Sequence, residues 1–461
     1  MREEKIVIHP MEYLELLSFK SEKQVNNHAW LTFTGQIPFE KKQECIDYGR
    51  KQTWVQVLAI SDTHEYPLFH GVIVSLRMKV ENQTCIVEVD VQSGSSLMDE
   101  KIHTRSFQNP ELNYQQLLKA CGNGYKQYDF IMIDGKNKKI NQFVMQYQET
   151  DWQFIKRMAA RTNSVVVPEY KTGGTKFYFG LPNRHDQVID NTCEYTVISD
   201  AQEYNQKRAL GLSVEQEDMV SYVWENREIF ELGQHKVLEG KERYIYKIST
   251  ILRGNELYHT YYMRTRVGVC EPYQLNQRLA GISLFGNVLK VQHEQVQISI
   301  NDDENASLSG VRWFSYATIY SSEDGTGWYC MPEQGDRIRL YFPSSSEGEA
   351  YAEAAYHESD ATLRQDPVVK FWRNKDGKEV QMSPEHILIT NNDGSYIEMN
   401  DNGIEIRSEG SVSLRAKKSL TITSSNDAIE LNAIKKISLK QGDTEINLGG
   451  DLTMRGARIK L

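Results

Sequence analysis

A run of apolar pairs near the C-terminus constrains this chain more than any other feature. From about residue 385, two apolar residues flanking a single position recur as Ile387/Ile389, Ile397/Met399, Ile404/Ile406, Val412/Leu414, Leu420/Ile422, Ile429/Leu431, Ile437/Leu439, Ile446/Leu448 and Ile459/Leu461. Their first members step by 10, 7, 8, 8, 9, 8 and 9 residues and then by 13, with Leu452/Met454 inside the last gap. Ser, Asn, Asp, Gly and Lys fill the intervals. A spacing of two is the period of one face of a β-strand. Each unit therefore reads as a very short strand with two inward residues, followed by a corner. Repetition of this regularity points to a stacked architecture.

Such a stack cannot shelter itself. Two inward residues per rung make a stripe too narrow to bury against its own chain. Three copies wound about one axis supply three stripes to a shared core, and their backbone groups pair with strands above and below, leaving no open side edge. At about 4.8 Å per strand, ten rungs give a rod on the order of 50 Å long. The expected C-terminal fold is thus a homotrimeric, triple-stranded β-helix, with Ile404, Ile406, Val412, Leu414, Leu420, Ile422, Ile429, Leu431, Ile437, Leu439, Ile446 and Leu448 in its core. Residues 401–461 carry 10 basic and 8 acidic side chains, a net of +2, against −12 for the remainder of a chain whose total is −10. Mixed signs of this kind fit a solvated outer coat.

The 461 residues suggest roughly three domains. A net charge of −10 argues against nucleic acid or an anionic membrane as a whole-chain partner. Mean hydropathy is low at −0.56, as expected of a folded protein with much surface per residue. No stretch approaches the roughly 18–20 apolar residues of a membrane span. Met1 to Pro10 (MREEKIVIHP) puts charges where a signal peptide has its apolar run, so folding in the cytosol is expected. Cys45, Cys85, Cys121, Cys193, Cys270 and Cys330 are scattered without a C-x-x-C and read as small buried thiols.

Upstream the chain reads as mainly β with a small α+β part. Thr53–Ile60, Gly71–Val80 and Thr84–Val91 are strand-like, the last alternating cleanly, with turns at Asp62–His64 and Glu81–Gln83. Helices are expected over Glu111–Cys121 and Glu149–Thr162, the second with Thr150 as N-cap and Gln153 completing a capping box. Strands resume at Asn163–Pro168 and Lys176–Leu181. From Gly286, five short strands in about 75 residues (Asn287–His293, Gln295–Asn301, Val311–Ile319, Gln334–Phe342 and Glu349–His357) fit a Greek-key barrel of the OB type. Tyr316, Tyr320, Trp328 and Tyr329 would suit base stacking, but Glu347, Glu349, Glu353 and Glu358 argue against a nucleic-acid groove.

Catalytic patterns fail one by one. Gly281–Gly286 (GISLFG) is one residue too long for a nucleophile elbow. Gly173-Gly174-Thr175-Lys176 lacks the upstream glycine of a P-loop and reads as a turn. Gly122-Asn123-Gly124 follows a helix and reads as its stop. His64, Glu65 and His70 do not make HExxH. Asp302, Asp303 and Glu304 cluster, and are expected to form a solvated loop of the barrel. No catalytic, cofactor-binding or metal-ligating residue is assigned.

The order of parts resembles the VgrG spike family of type VI secretion systems and the hub-and-needle proteins of phage tails and extracellular contractile injection systems. Local matches are Arg105–Tyr114 (RSFQNPELNY), Glu149–Met158 (ETDWQFIKRM) and a barrel ending in Met331-Pro-Glu-Gln-Gly-Asp, where the family's Trp is shifted to Trp328. The resemblance implies hub domains over 1–280, an OB-fold neck over 281–358, a connector over 359–390 and a needle over 391–461. It implies a homotrimer that caps an inner tube, contacts tube and baseplate proteins and punctures a target envelope after ejection from the cell. It also implies a platform at Ile459 and Leu461 for a small conical (PAAR-like) tip protein, with effectors as further partners. About 28 residues between barrel and needle leave no room for a muramidase. No histidine follows His386, so a histidine-ligated tip metal is not expected. The chain ends within the last rung, from which a spike without a cargo domain is expected. A trimeric β-helical adhesin and an envelope-polysaccharide hydrolase are the alternatives, the latter requiring an acid pair across a groove.

Overall fold

A computed structural model describes residues 5–60, 64–184, 194–355, 357 and 362–458. The chain is mostly β and divides into two compact units, Met1–His357 and Glu358–Leu461. No described helix is long and apolar enough to cross a membrane.

The first unit is organised by an antiparallel sheet of eleven strands. Its spatial order runs Lys5–His9, Trp54–Ile60, Glu65–Glu81, Thr84–Ser93, Trp30–Ile37, Glu15–Gln24, Lys241–Arg253, Glu256–Arg264, Val220–Asn226 and Thr196–Ser199, with His235–Leu238 paired beside Lys241–Arg253. Alternation does what it promises: Cys85, Val87, Val89 and Val91 all point inward and are fully buried against Leu31 and Phe33 of the neighbouring strand. All three upstream strands expected from sequence are present. Of the turn expected at 62–64, residues 62 and 63 lie outside the described residues.

A second core gathers under the helices Tyr114–Cys121 and Asp151–Ala160 and includes Leu117, Leu118, Trp152, Ile155 and Met158. Both helices start on a capping box: Asn113 with Gln116, and Thr150 with Gln153 as expected. The first begins three residues later than its sequence suggests, because Asn113 caps it. Gly122 does stop it, in ordinary right-handed geometry. The Gly173-Gly174 segment is a turn, and a tight one. A Cβ on Gly94 would lie 2.1 Å from the Gly174 carbonyl oxygen, and Gly174 itself has φ +101°. Two short helices, Lys42–Arg50 and Ala201–Ala209, were not expected. Each buries a single residue, Cys45 and Lys207 respectively, and so leaves no apolar stripe to read. Cys45, Cys85 and Cys121 are buried, Cys270 is half-buried, and Cys330 is exposed, contrary to expectation; Cys193 lies outside the described residues.

The five barrel strands, Ser283–Gln292, Gln295–Ile300, Trp313–Ala317, Arg337–Tyr341 and Tyr351–Glu353, close on themselves. Phe143 and Met145, from the strand-bearing segment far upstream, sit in the barrel's own core with Phe314, Ile338, Leu340 and Phe342. The Phe143 ring meets Phe314 edge-on at 5.2 Å. The border expected at 280/281 therefore separates no compact units, since the barrel's core is completed by Phe143 and Met145.

In the second unit, one antiparallel meander joins Lys370–Arg373, Glu379–Met382, His386–Thr390, Tyr396–Asn400 and Gly403–Arg407. Another joins Ile437–Gln441, Thr444–Gly449 and Asp451–Arg455. The border expected at 390/391 falls inside the first meander. Between Arg407 and Ile437 no strand forms among the described residues. Backbone geometry differs between the paired and unpaired stretches. Gly377, Asn392, Gly394, Gly403, Gly442 and Gly450 supply the positive φ that tight hairpins need, whereas no described residue from 408 to 436 has one. A triple-stranded helix is not seen in this single chain.

Candidate functional site

Register makes the apolar pairs into a surface. In the first meander Trp372, Val380, Ile389, Ile397 and Ile406 stand opposite one another in turn, forming one column. Two residues away, Met382, Ile387, Met399 and Ile404 form a second column on the same face, which Lys370 begins. The second meander repeats the pattern with Ile437, Leu448 and Leu452 beside Leu439, Ile446 and Met454. Val380/Met382 lies seven residues before Ile387 and so obeys the repeat. Sequence reading missed it by placing the start of the repeat at about 385.

These columns are open to solvent. Ile404 is 71% exposed, and on the segment without strands Ile422 is 65% and Leu431 66% exposed. Val412, Leu414, Leu420 and Ile429 are likewise exposed, on the segment without strands, while Ile437 is half-buried and Ile406, Leu439, Ile446 and Leu448 are exposed within theirs. Ile459 and Leu461 lie outside the described residues. From 363 to 458, Gly377 is the one described residue that is buried. All three apolar cores belong to the first unit. Contiguous apolar surface on this scale marks an interaction face.

The motifs that carry the resemblance do a different job, locking the barrel to upstream segments of the first unit. On one side Arg105 donates to Asp151 (2.5 Å), and the loop Asp302–Glu304 closes over the strand Ile102–Phe107. Asp303 accepts from the Ser106 N–H (2.9 Å) and hydroxyl (2.5 Å). Glu304 accepts from the Thr104 N–H (3.0 Å) and pairs with His103 Nδ1 (2.6 Å). Burial opposes ionisation of Glu304, but those two partners outweigh it and hold its pKa below the usual carboxylate value. The loop expected to be solvated is thus a clamp. Its partners lie about two hundred residues away, which no local pattern reveals.

On the other side the buried Arg157 donates to Glu149 (2.8 and 2.7 Å), to the Met145 carbonyl (2.8 Å) and to Glu347 of the barrel (2.6 Å). Burial disfavours its charge, but Glu347 and Glu149 prevail and raise its pKa. Met331–Asp336 forms the turn before the fourth strand, with Asp336 accepting from the Glu333 N–H at 2.7 Å.

Chemistry is harder to find. No group of three metal-ligating side chains occurs among the described residues. His28 bridges Ser95 Oγ and Asp99, both at 2.8 Å, the composition of a nucleophilic triad, but Ser95 is fully buried and has no route to a substrate. A cleft of about 840 Å³ holds Glu203 and Glu271, the pair a hydrolase would want. Lys207 Nζ sits between them at 3.1 and 3.3 Å, bonded also to the carbonyls of Gly268 and Cys270. That ammonium occupies the place of a reacting sugar, so the pair is structural.

No family model matches the sequence, and no curated protein is detectably similar to it in sequence. Solved structures are similar in fold. An E. coli protein described as a component of the type VI secretion system, with structural similarity to two bacteriophage T4 tail proteins, aligns with a TM-score of 0.54 at 12% identity over 77% of this chain and all of that one. A chain of the Francisella PdpA–VgrG complex in its half-lidded form aligns at 0.56 and 10% identity over 88% of each chain. The lidless form of a PdpA–VgrG complex aligns at 0.55 and 9% identity over 86% of this chain and 93% of that one. At such identities the likeness is one of fold: the chain shares the fold of that type VI secretion component and of the chains aligned in the PdpA–VgrG complexes.

Proposed function

We propose that the chain is the spike subunit of a contractile injection apparatus, acting as a homotrimer. The observation that carries this reading is the coreless C-terminal unit, whose apolar columns are in register and exposed. A dozen Ile, Leu and Val side chains, each about half exposed, offer on the order of 10–20 kcal/mol per chain when covered. Association costs about 4–15 kcal/mol. Self-association about the columns is therefore favourable. Rungs from 408 to 436, which lack the turns to pair within one chain, would find their neighbours on the other copies.

The likeness of fold supports the rest of the assignment. In this reading the first unit caps an inner tube and meets baseplate proteins, and contraction of a sheath drives the trimer forward. A narrow rod concentrates the force, and many ladder hydrogen bonds share the load although each is worth little alone. Folding in the cytosol, ejection into a target envelope, a tip protein seated near Ile459 and Leu461 and effector cargo belong to the same proposal. The test is cryo-electron microscopy of the purified full-length chain. A threefold particle with a rod is expected; a C-terminal unit seen as an isolated coil or flexible ribbon would overturn the reading.

A further inference from the structure

The turns of the C-terminal unit sort its rungs into two kinds. Two residues separate the paired Asn400 and Gly403, two separate Gln441 and Thr444, and Gly450 alone separates Gly449 and Asp451. A two-residue link reaches about 11 Å at most, so a reversal this short returns the strand beside its own chain. By contrast, five and six residues separate the successive pairs Val412/Leu414, Leu420/Ile422 and Ile429/Leu431, with no positive φ among them. There the chain can turn a corner and go on. The faces turned away from the apolar columns agree. Lys440, Glu445 and Arg455 stand opposite one another across the second meander, alternating in sign. In the first, Arg373 stands opposite Glu379 and donates to it at 3.2 Å, and the turn residue Asn392 bonds Glu379 (3.0 Å) and the Gly377 carbonyl (2.6 Å). These favourable pairs are met in the register that one chain makes by itself.

We infer that the rod is braided only over residues 408–436, and that on either side of the braid each chain forms one entire wall of a three-sided prism. The columns of each wall are covered by the walls of the other two copies. Apart from Met399 and Ile437, the column side chains are 36–71% exposed, leaving on the order of 1,000 Å² of apolar surface per chain, against about 800 Å² per partner in a stable interface. Ladder hydrogen bonds in the walls are already made within a chain, so exchanging them between copies gains nothing. In the braid they run from copy to copy, because successive rungs of one chain lie on successive faces. The inference rests on the trimer proposed above and assigns its contacts: apolar at both ends, hydrogen-bonded in the middle.

Disulfide pairs in the full-length chain, with Cys193→Ser and Cys330→Ser removing background thiols, test it. Leu388→Cys with Glu398→Cys, and Ser438→Cys with Asn447→Cys, put cysteines directly opposite one another in the two walls, on the faces turned away from the columns. Opposite residues of paired strands lie within the roughly 4.4–6.8 Å that a disulfide spans. Thr421→Cys with Glu430→Cys does the same for one braid rung and the next. Each variant is oxidised at its native mass of three chains, then denatured without reductant. Both wall pairs should lose their new thiols and run as single chains, while the braid pair should run as covalent dimers and trimers. The wall pairs are independent, so one that fails to assemble leaves the other to decide. Covalent multimers or free thiols from a wall pair, or single chains from the braid pair, would overturn the inference while leaving the trimer intact. A parent chain whose native mass is not that of three would overturn both.

Discussion

In the strand Thr84–Ser93, the alternating residues Cys85, Val87, Val89 and Val91 are completely buried, whereas in Gly403–Arg407 the alternating Ile404 and Ile406 stay 71% and 56% exposed. The local pattern is the same. What differs is the cover: among the described residues, the first strand belongs to a unit with three apolar cores and the second to a unit with none. Alternation in a sequence thus says which face is apolar and leaves open which molecule covers it.

Breaking the C-terminal face should have the largest effect and the narrowest. Ile422→Asp with Leu431→Asp is expected to abolish the oligomer and the protease resistance of residues 370–455. The melting of the first unit should stay within about 0.5 kcal/mol, because neither residue is buried in the single chain. Light scattering and limited proteolysis read the two halves separately. Survival of the oligomer would break the contrast between the units.

The converse change acts on the first unit alone. Arg157→Ala leaves the Glu149 and Glu347 carboxylates without their buried cation. It should cost about 3–5 kcal/mol in denaturant unfolding of residues 5–357, with the oligomer retained.

Acid should separate the units too. His259 is buried, its Nδ1 2.8 Å from Thr250 Oγ1, and burial together with the nearby Lys23 pushes its pKa down to about 3. Between pH about 6.5 and about 3 the unfolded chain binds a proton here that the folded chain refuses. Stability from this residue is therefore present above that window and lost as pH falls through it, at up to roughly 1.4 kcal/mol per pH unit. His259→Gln should flatten the acid limb of the unfolding curve. A wild-type curve without that limb would remove the assignment. The smallest effect belongs to the helix cap: Thr150→Ala should cost about 1 kcal/mol of first-unit stability by thermal melt.

How much of this could be read from sequence varied with range. Features that depend on neighbours within ten residues were legible: the Thr150 capping box, the five barrel strands, and the pairs that became strands at 386–407 and 437–455. The helix Lys42–Arg50 was not, since one buried cysteine makes no stripe. Nor was the clamp at Asp302–Glu304, because acidic residues on a loop look solvated until the strand bearing His103 and Arg105 is laid beside them. The pairs Val412/Leu414, Leu420/Ile422 and Ile429/Leu431 read as rungs, yet form no strand in one chain. Gly410, Asn426 and Asn432 lie in their intervals, but none takes the positive φ of a tight hairpin, so the sequence pattern alone could not tell these rungs from the paired ones.

Solution mass decides the central point. Three times the 53.3 kDa of one chain is expected for the purified full-length protein at micromolar concentration. A 53.3 kDa particle whose residues 370–455 nevertheless resist protease would contradict the account, because a single chain would then be covering its own columns.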